Sequence, residues 1–152
     1  MKIEKSPEQL YTERLKRVED AAQLKVPDRV PIMATPHFFP TNIAGVSCQE
    51  AMYDYDKLEK AWKKYLLDFQ PDTYPNPFHR IALGPLMESV DSRQFRWPGH
   101  GVSPNHTYQF VEEEHLKAND YDAFLFDPSD YILRTYLPRI CGALEPLRML
   151  PH

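Results

Sequence analysis

Proline is the residue that most constrains what this chain can fold into. The 152 residues include 15 prolines, scattered rather than clustered, and only 5 glycines. Proline breaks the interior of a helix and removes a hydrogen bond from a central strand. We therefore expect short elements joined by long ordered loops. Aromatic residues make up 12% of the chain, and many lie beside these prolines, as is typical of loops that form a pocket wall.

The composition is that of a soluble globular protein of about one domain. Hydrophobic residues at 42% and charged residues at 26% are ordinary values, and no apolar run approaches the roughly 20 residues of a membrane helix. The net charge of −4 favours neither nucleic acid nor an anionic membrane as a partner. The charged N-terminus does not resemble a signal peptide. Cys48 and Cys141 lack metal-binding spacing and are expected to be reduced thiols in a cytoplasmic protein.

Capping signals predict where the helices begin. A capping box at Ser6, with Pro7 in the first helical position, opens a helix that ends before Pro27. A second capping box begins at Ser47, and the sequence from Asp56 resembles a third. The helix after it is predicted to be amphipathic because its apolar residues recur every three or four positions. These residues are Leu58, Ala61, Trp62, Tyr65, Leu66 and Phe69.

The C-terminal part of the chain is also expected to be helical. The helical pattern begins at Asn119 and is split into two pieces at Asp127, which can cap the second piece with Pro128 in its first position. Pro138 is expected to kink or end that second piece.

Short runs bounded by turn signals predict strands at Val30–Ala34 and Asp72–Tyr74, with weaker signals at Gln94–Trp97 and Thr107–Val111. The order helix, strand, loop, helix, strand, loop is typical of an α/β barrel or a doubly wound sheet. Two or three parallel strands are too few for a closed barrel, which needs eight strands and about 250 residues. They would leave open edges and an uncovered apolar face. We therefore expect the chain to end early or to need a partner.

Several stretches also carry a resemblance to a known family. They are Thr12 to Leu15, Val26 to Ile32, Ala44 to Ser47, Asp68, Asp72, Arg96 to Gly101, Tyr108 to Glu112, Tyr121, Asp122 and Asp127 to Asp130. Together they resemble the uroporphyrinogen decarboxylase and corrinoid-methyltransferase superfamily. The resemblance implies that residues 1–152 are one helix-rich α/β domain. That domain would be the N-terminal portion of a (β/α)8 TIM barrel that this chain does not complete.

The loop after the first predicted strand separates two branches of that superfamily. Its decarboxylases have an Arg-Gln-Ala-Gly-Arg segment there, whose arginines hold the carboxylates of the porphyrinogen. Residues 34–40 contain no arginine here. The resemblance therefore implies a methyltransferase or demethylase of the corrinoid-linked type. Two alternatives stay open: a cofactor-independent decarboxylase of the uroporphyrinogen type, and a non-catalytic truncated subunit that needs a partner chain.

The resemblance also implies cofactors and partners. Corrinoid and zinc would belong to the complete enzyme, and neither is expected to be bound by this chain alone, which should be inactive in isolation. The expected partners are a small-molecule substrate, the remaining barrel half or a partner chain, and a corrinoid protein. A homodimer is a further expected arrangement.

Candidate site residues follow from the place where a barrel does its chemistry, which is the end of each strand and the loop after it. This rule selects His37, Tyr74, Asn76, His79 and Arg96 as substrate-binding candidates, and it assigns no catalytic residue. Each has a structural alternative: the histidines as packed loop residues, Asn76 as a turn residue between prolines, and Arg96 as a contact over the neighbouring indole. The other histidines match no metal signature, so no metal site is expected from this chain.

Overall fold

The computed structural model describes residues 5–151, except for the side chain of His79. Its helices are α1 (Pro7–Ala22), α2 (Phe39–Ile43), α3 (Cys48–Tyr53), α4 (Tyr55–Phe69), α5 (Phe78–Ile81), α6 (Gly84–Ser89), α7 (Tyr121–Phe126), α8 (Pro128–Tyr131) and α9 (Leu137–Ile140). The strands are β1 (Phe95–Pro98), β2 (Gly101–Val102) and β3 (Gln109–Phe110). Ala118–Asp120 and Gly142–Met149 are 3-10 helices, and Ile132–Tyr136 is a π-helical turn. The described chain thus combines many short helices with one small sheet.

The first two capping boxes are confirmed. At α1 the backbone N–H of Gln9 donates to the Ser6 hydroxyl, and the Ser6 N–H donates back to the Gln9 side chain. Ser47 and Glu50 make the same exchange at α3. The third box is wrong, because α4 begins earlier, with the Asp54 carboxylate accepting from the N–H of Lys57 at 3.0 Å. Asp54 is extended and serves as the end of α3 and the start of α4.

The helical pieces of the C-terminal part are also confirmed. Asp127 caps α8 by accepting from the N–H groups of Ser129 and Asp130, and Pro128 lies in the first turn. Pro138 does not end the helical structure of this part of the chain. It lies in the first turn of α9, directly after the π-helical turn, and such a widened turn is a usual way for a helix to accommodate a proline.

The three-stranded sheet has the order β2-β1-β3, in which β1 runs parallel to β2 and antiparallel to β3. Its central strand confirms the weak signal at Gln94–Trp97, whereas the second weak signal is reduced to the two residues of β3. Gly99 and Gly101 have positive φ angles of 81° and 84°, which let the chain turn tightly enough for β2 to follow β1 at once. This sheet is formed by neighbouring segments of chain and does not include either of the two strongest strand signals.

Those two strongest signals meet elsewhere, in a single parallel bridge between Met33 and Thr73. The N–H of Ala34 donates to the Thr73 carbonyl at 3.0 Å, and the Ile32 carbonyl accepts from the N–H of Asp72 at 3.0 Å. The strand predictions are therefore right in placement and direction but wrong in length. The prolines at positions 31, 36, 71 and 75 explain the difference, because each lacks the N–H that a longer ladder would use.

A network of ion pairs holds this bridge against α1. The Asp72 carboxylate is fully buried and accepts from Arg17, from both terminal nitrogens of Arg29 at 2.6 and 2.7 Å, and from the N–H of Ile32 at 2.8 Å. Arg17 also donates twice to Asp28, at 2.7 and 2.6 Å. The network thus ties α1, the turn at residues 28–29 and the start of the second parallel segment to one buried carboxylate.

The core lies among α2, α3, α4, α5, α6 and β1. Its buried members are Phe38, Cys48, Ala51, Met52, Leu58, Trp62, Ile81, Met87 and Trp97. Cys48 and Cys141 are free thiols, as expected. Among the described helices, none has the length and apolarity that crossing a bilayer requires.

Apolar surface is left bare beside the parallel bridge. Val30, Ile32 and Met33 are 80%, 55% and 70% exposed. Next to them, an open groove of about 560 Å³ separates the apolar side of α1 from the end of α4. Residues 30–33 thus form an exposed apolar surface, the apolar flank.

Candidate functional site

A small cleft lies where the two parallel segments lead into their loops. Its lining combines residues from both loops with one side chain of α4 and two of α5: Thr35, His37, Trp62, Pro75, Asn76, Pro77, Arg80 and Ile81. The space inside is about 10 Å³, close to what one water-sized group needs. Because Met33 and Thr73 pair in parallel, both loops leave from the same end, and this pairing brings His37 and Asn76 to one cleft.

His37 is held in a strained backbone conformation. Its φ angle is +47°, in the left-handed region that residues other than glycine rarely adopt. The next residue, Phe38, is 2% exposed and packs against Tyr108 at a ring distance of 5.4 Å, so the loop is anchored on its far side. Leu24, Gln70 and Asp91 share this positive φ, and at His37 the conformation turns the chain from the first parallel segment into α2.

Asn76 has the turn role that its sequence position suggested. Its side-chain oxygen accepts from the N–H of Phe78 at 2.9 Å, which is the hydrogen bond of an Asx turn. The turn leads into α5 and sets the direction of that helix. Asn76 therefore lines the cleft while it also stabilises the loop.

Trp62 is a cleft residue that sequence reasoning assigned only to the core. It is 3% exposed, and its indole Nε1 has no hydrogen-bond partner among the described residues. Buried indole N–H groups usually find an acceptor. The sequence did not single it out, because Tyr65 in the same apolar α4 stripe also carries a buried donor, and the sequence does not show which donor finds a partner.

Arg80 is the second cleft residue that sequence reasoning missed. It follows His79 directly, its side chain is exposed, and its backbone carbonyl accepts from the Tyr108 hydroxyl at 2.8 Å. Burial raises the pKa of Tyr108, so this hydroxyl stays a neutral donor. Arg80 brings a permanent positive charge to the rim of the cleft.

The other candidates lie apart from this cleft. Tyr74 lines the groove beside α1 instead, with its ring 6.5 Å from that of Trp62. Arg96 is exposed in β1 and is not part of the cleft lining. The ring that stacks on the neighbouring Trp97 is that of His100, at 4.7 Å. The side chain of His79 lies outside the described residues.

The resemblance implies a zinc ion in the complete enzyme. Among the described side chains, no three His, Cys, Asp or Glu residues come together as a metal site would require. The residues of this chain that are described therefore do not fit a zinc centre, and no chemical step is derived through one.

Comparison with known proteins identifies no relative. No family model, no curated protein and no solved structure matches the chain.

Proposed function

We propose that this chain is the N-terminal portion of a (β/α)8-barrel enzyme of the uroporphyrinogen decarboxylase and corrinoid-methyltransferase superfamily, of the methyltransferase or demethylase type. In this proposal the loops after Ala34 and Tyr74 form one wall of the substrate pocket. The observation that carries it is the parallel bridge between Met33 and Thr73. Parallel strands joined through a helix are the repeating unit of such a barrel, whose pockets lie at the strand ends.

The apolar flank supports the idea that further strands belong beside this bridge. Val30 and Met33 are 80% and 70% exposed, although parallel strands are normally covered on both faces. Their neighbours would be the remaining strands of the barrel, from the barrel half or the partner chain that completes it. Catalytic groups, and any ligands for zinc or corrinoid, would come from that remaining part.

The charge of the cleft favours the methyltransferase type over the decarboxylase type. Arg80 is the one permanent cation among the described side chains that line the cleft, and residues 34–40 contain no arginine. A porphyrinogen carries many carboxylates and needs several fixed cations to hold them. A cleft of this charge and size suits a much smaller substrate.

The proposal is tested first on the purified chain by light scattering and by fluorescence of a dye that binds apolar surface. We expect concentration-dependent association, dye binding, and no methyl transfer from methylcobalamin to a thiol by the chain alone. Val30→Lys should reduce association and dye binding, because it places a charge on the apolar flank. Leu125→Lys is the matched control, since Leu125 is 72% exposed on α7 and away from the bridge.

Four outcomes would count against the proposal. A monodisperse monomer that binds no dye would show that the flank needs no cover. Equal effects of the two lysine variants would show that the flank has no special role. Full turnover by the chain alone would show that no other part is needed, and tight binding of uroporphyrinogen would favour the decarboxylase alternative.

A further inference from the structure

We infer that the groove between α1 and the end of α4 is the docking site of an amphipathic α-helix whose apolar stripe carries one aspartate or glutamate opposite Arg14. The groove has a volume of about 560 Å³. The docked helix would come from the barrel half or the partner chain that completes the enzyme, so its source rests on the proposed function. The chemistry of that partner is what the groove adds.

The apolar side of α1 is poorly covered. The one buried residue of this helix of 16 residues is the charged Arg17. Tyr11 and Leu15 line the groove and are 67% and 42% exposed, and across the groove Leu67 is 75% exposed. A helix of this kind is normally stabilised by packing its apolar stripe against another element. Much of the stripe of α1 is therefore left for a partner to cover.

Arg14 places a positive charge in the middle of this stripe. Leu10, Arg14 and Val18 follow one another at four-residue spacing, so their side chains leave the same face of α1, and all three line the groove. Arg14 is half-buried, and no described residue forms a hydrogen bond or an ion pair with its side chain. Asp72, the other charged residue of the lining, is already paired within its own network. The groove thus offers apolar surface around one cation without a counter-charge.

The position of Arg14 disfavours a second copy of this chain as the occupant. A two-fold pair of α1 helices that matches the two stripes would place Leu10 of one copy against Val18 of the other, with the two Arg14 side chains together at the centre. Like charges that meet in an interface oppose association. An occupant with a carboxylate at this point gains a charge-assisted hydrogen bond instead.

The walls of the groove favour a helix over an extended peptide. The wall formed by α1 offers no backbone partners along its interior, because the N–H and C=O groups of a helix bond to one another. Across the groove, Leu66 and Leu67 belong to α4, and Pro71 lacks an N–H. A peptide in the groove must therefore satisfy its own backbone groups, and an α-helix does so. Its apolar residues, three and four positions apart, would pack against the stripe of α1.

The test uses three labelled helical peptides of about 18 residues that differ at one position. Each carries leucines along one face, and the residue at the centre of that face is Glu, Gln or Lys. Binding to the full chain is measured by fluorescence anisotropy at about 0.15 M salt. We expect the Glu peptide to bind about fivefold more tightly than the Gln peptide, and the Lys peptide to bind most weakly. The net charge of −4 would by itself give the opposite order, so the expected order identifies a local contact.

Substitutions in the chain separate Arg14 from its surroundings. Arg14→Glu should reverse the order, so that the Lys peptide binds about fivefold more tightly than the Glu peptide, and Arg14→Gln should make the Glu and Gln peptides bind alike. Lys16→Glu is the matched control, because Lys16 lies on the same helix outside the groove lining, with a side chain 71% exposed, and should preserve the order. Leu15→Lys should weaken all three peptides, because it charges the apolar wall. Circular dichroism checks that each variant is folded.

The inference is overturned if the wild-type chain binds the Glu and Gln peptides equally, or if both Arg14 variants leave the order unchanged. It is also overturned if the chain binds decanoate but none of the peptides, which would make the groove a site for a small apolar carboxylate. The barrel proposal fails separately, because it is tested at Val30, outside the groove lining. Selective peptide binding by a chain that Val30→Lys and Leu125→Lys affect equally would contradict the barrel proposal and leave the groove site standing.

Discussion

Asp72 is the residue on which the first half of the molecule depends most. Burial by itself would raise the pKa of this carboxyl, but the Ile32 N–H and the guanidinium groups of Arg29 and Arg17 outweigh it, and the pKa is lowered. Arg17 comes from α1, and Arg29 and Ile32 come from the segment that leads into the parallel bridge. Asp28 and Arg29, which lie between Pro27 and Pro31, therefore have a structural role. They help to hold the first parallel segment beside the second.

Asp72→Asn should destabilise the protein by about 3 kcal/mol, because removing one partner of a buried charged network leaves cations without their counter-charge. Arg17 keeps its bonds to Asp28, which places the expected loss at the lower end of the usual range. Asp68→Asn is the control: this carboxylate lies on the surface of α4, paired with Lys64, and should cost less than about 0.5 kcal/mol. Urea unfolding measures both variants, and equal losses would mean that the network contributes nothing beyond a surface pair.

At the scale of elements, the ends of the helices determine where the loops of the site begin. α4 is amphipathic as expected, with Leu58, Ala61, Trp62 and Tyr65 buried. The helix ends at Gln70, whose φ and ψ angles of 47° and 52° are left-handed. This conformation reverses the chain so that the second parallel segment can return to the first.

Gln70→Gly should stabilise the protein by about 0.5–1 kcal/mol. Glycine avoids a left-handed strain of about 1–2 kcal/mol, and the greater freedom of glycine in the unfolded chain offsets part of that gain. Gln70→Ala keeps a Cβ and should bring no such gain. Thermal unfolding of the two variants separates these effects, and a glycine variant no more stable than the alanine variant would mean that the helix end is not strained.

At the scale of the whole molecule, the carboxylates that hold separate regions together share one sensitivity to acid. The Arg17 guanidinium beside Asp28 lowers the pKa of that carboxyl from 3.8 to about 2. The Lys57 ammonium, together with the backbone and hydroxyl of Ser47, lowers the pKa of Glu50 from 4.5 to about 2. The first group lies at the ion-pair network and the second at the start of α3.

Stability should therefore be retained above about pH 4.5 and fall as the pH drops towards 2. A carboxyl whose pKa is lower in the folded than in the unfolded protein stabilises the fold above the unfolded pKa, and it loses that contribution as it is protonated in the folded state. Both groups are substantially exposed, so high salt should weaken the effect. Urea midpoints measured between pH 2 and 6 test this expectation. Asp28→Asn and Glu50→Gln should each flatten the profile, and a wild-type midpoint that is constant over this range would contradict it.

The sequence by itself determined the features that depend on neighbours within a few residues. The capping boxes at Ser6 and Ser47, the cap at Asp127 and the buried stripe of α4 are local, because a side chain there satisfies the backbone of its own helix or follows the helical period. The placement of the two parallel segments was also predicted from short runs bounded by turn signals. The lengths of the two segments could not be predicted in the same way. The flanking prolines limit the hydrogen bonds between strands only where a partner strand lies beside them.

Only the tertiary structure decided which loop residues meet. His37 and Asn76 share a cleft because a long-range bridge brings their loops together, whereas Tyr74 and Arg96 have equally suggestive sequence positions and lie apart from it. Trp62 and Arg80 joined the cleft without a local signal that could separate them from core and surface residues. Whether a donor is satisfied depends on atoms that are distant in sequence, and no short-range pattern records that.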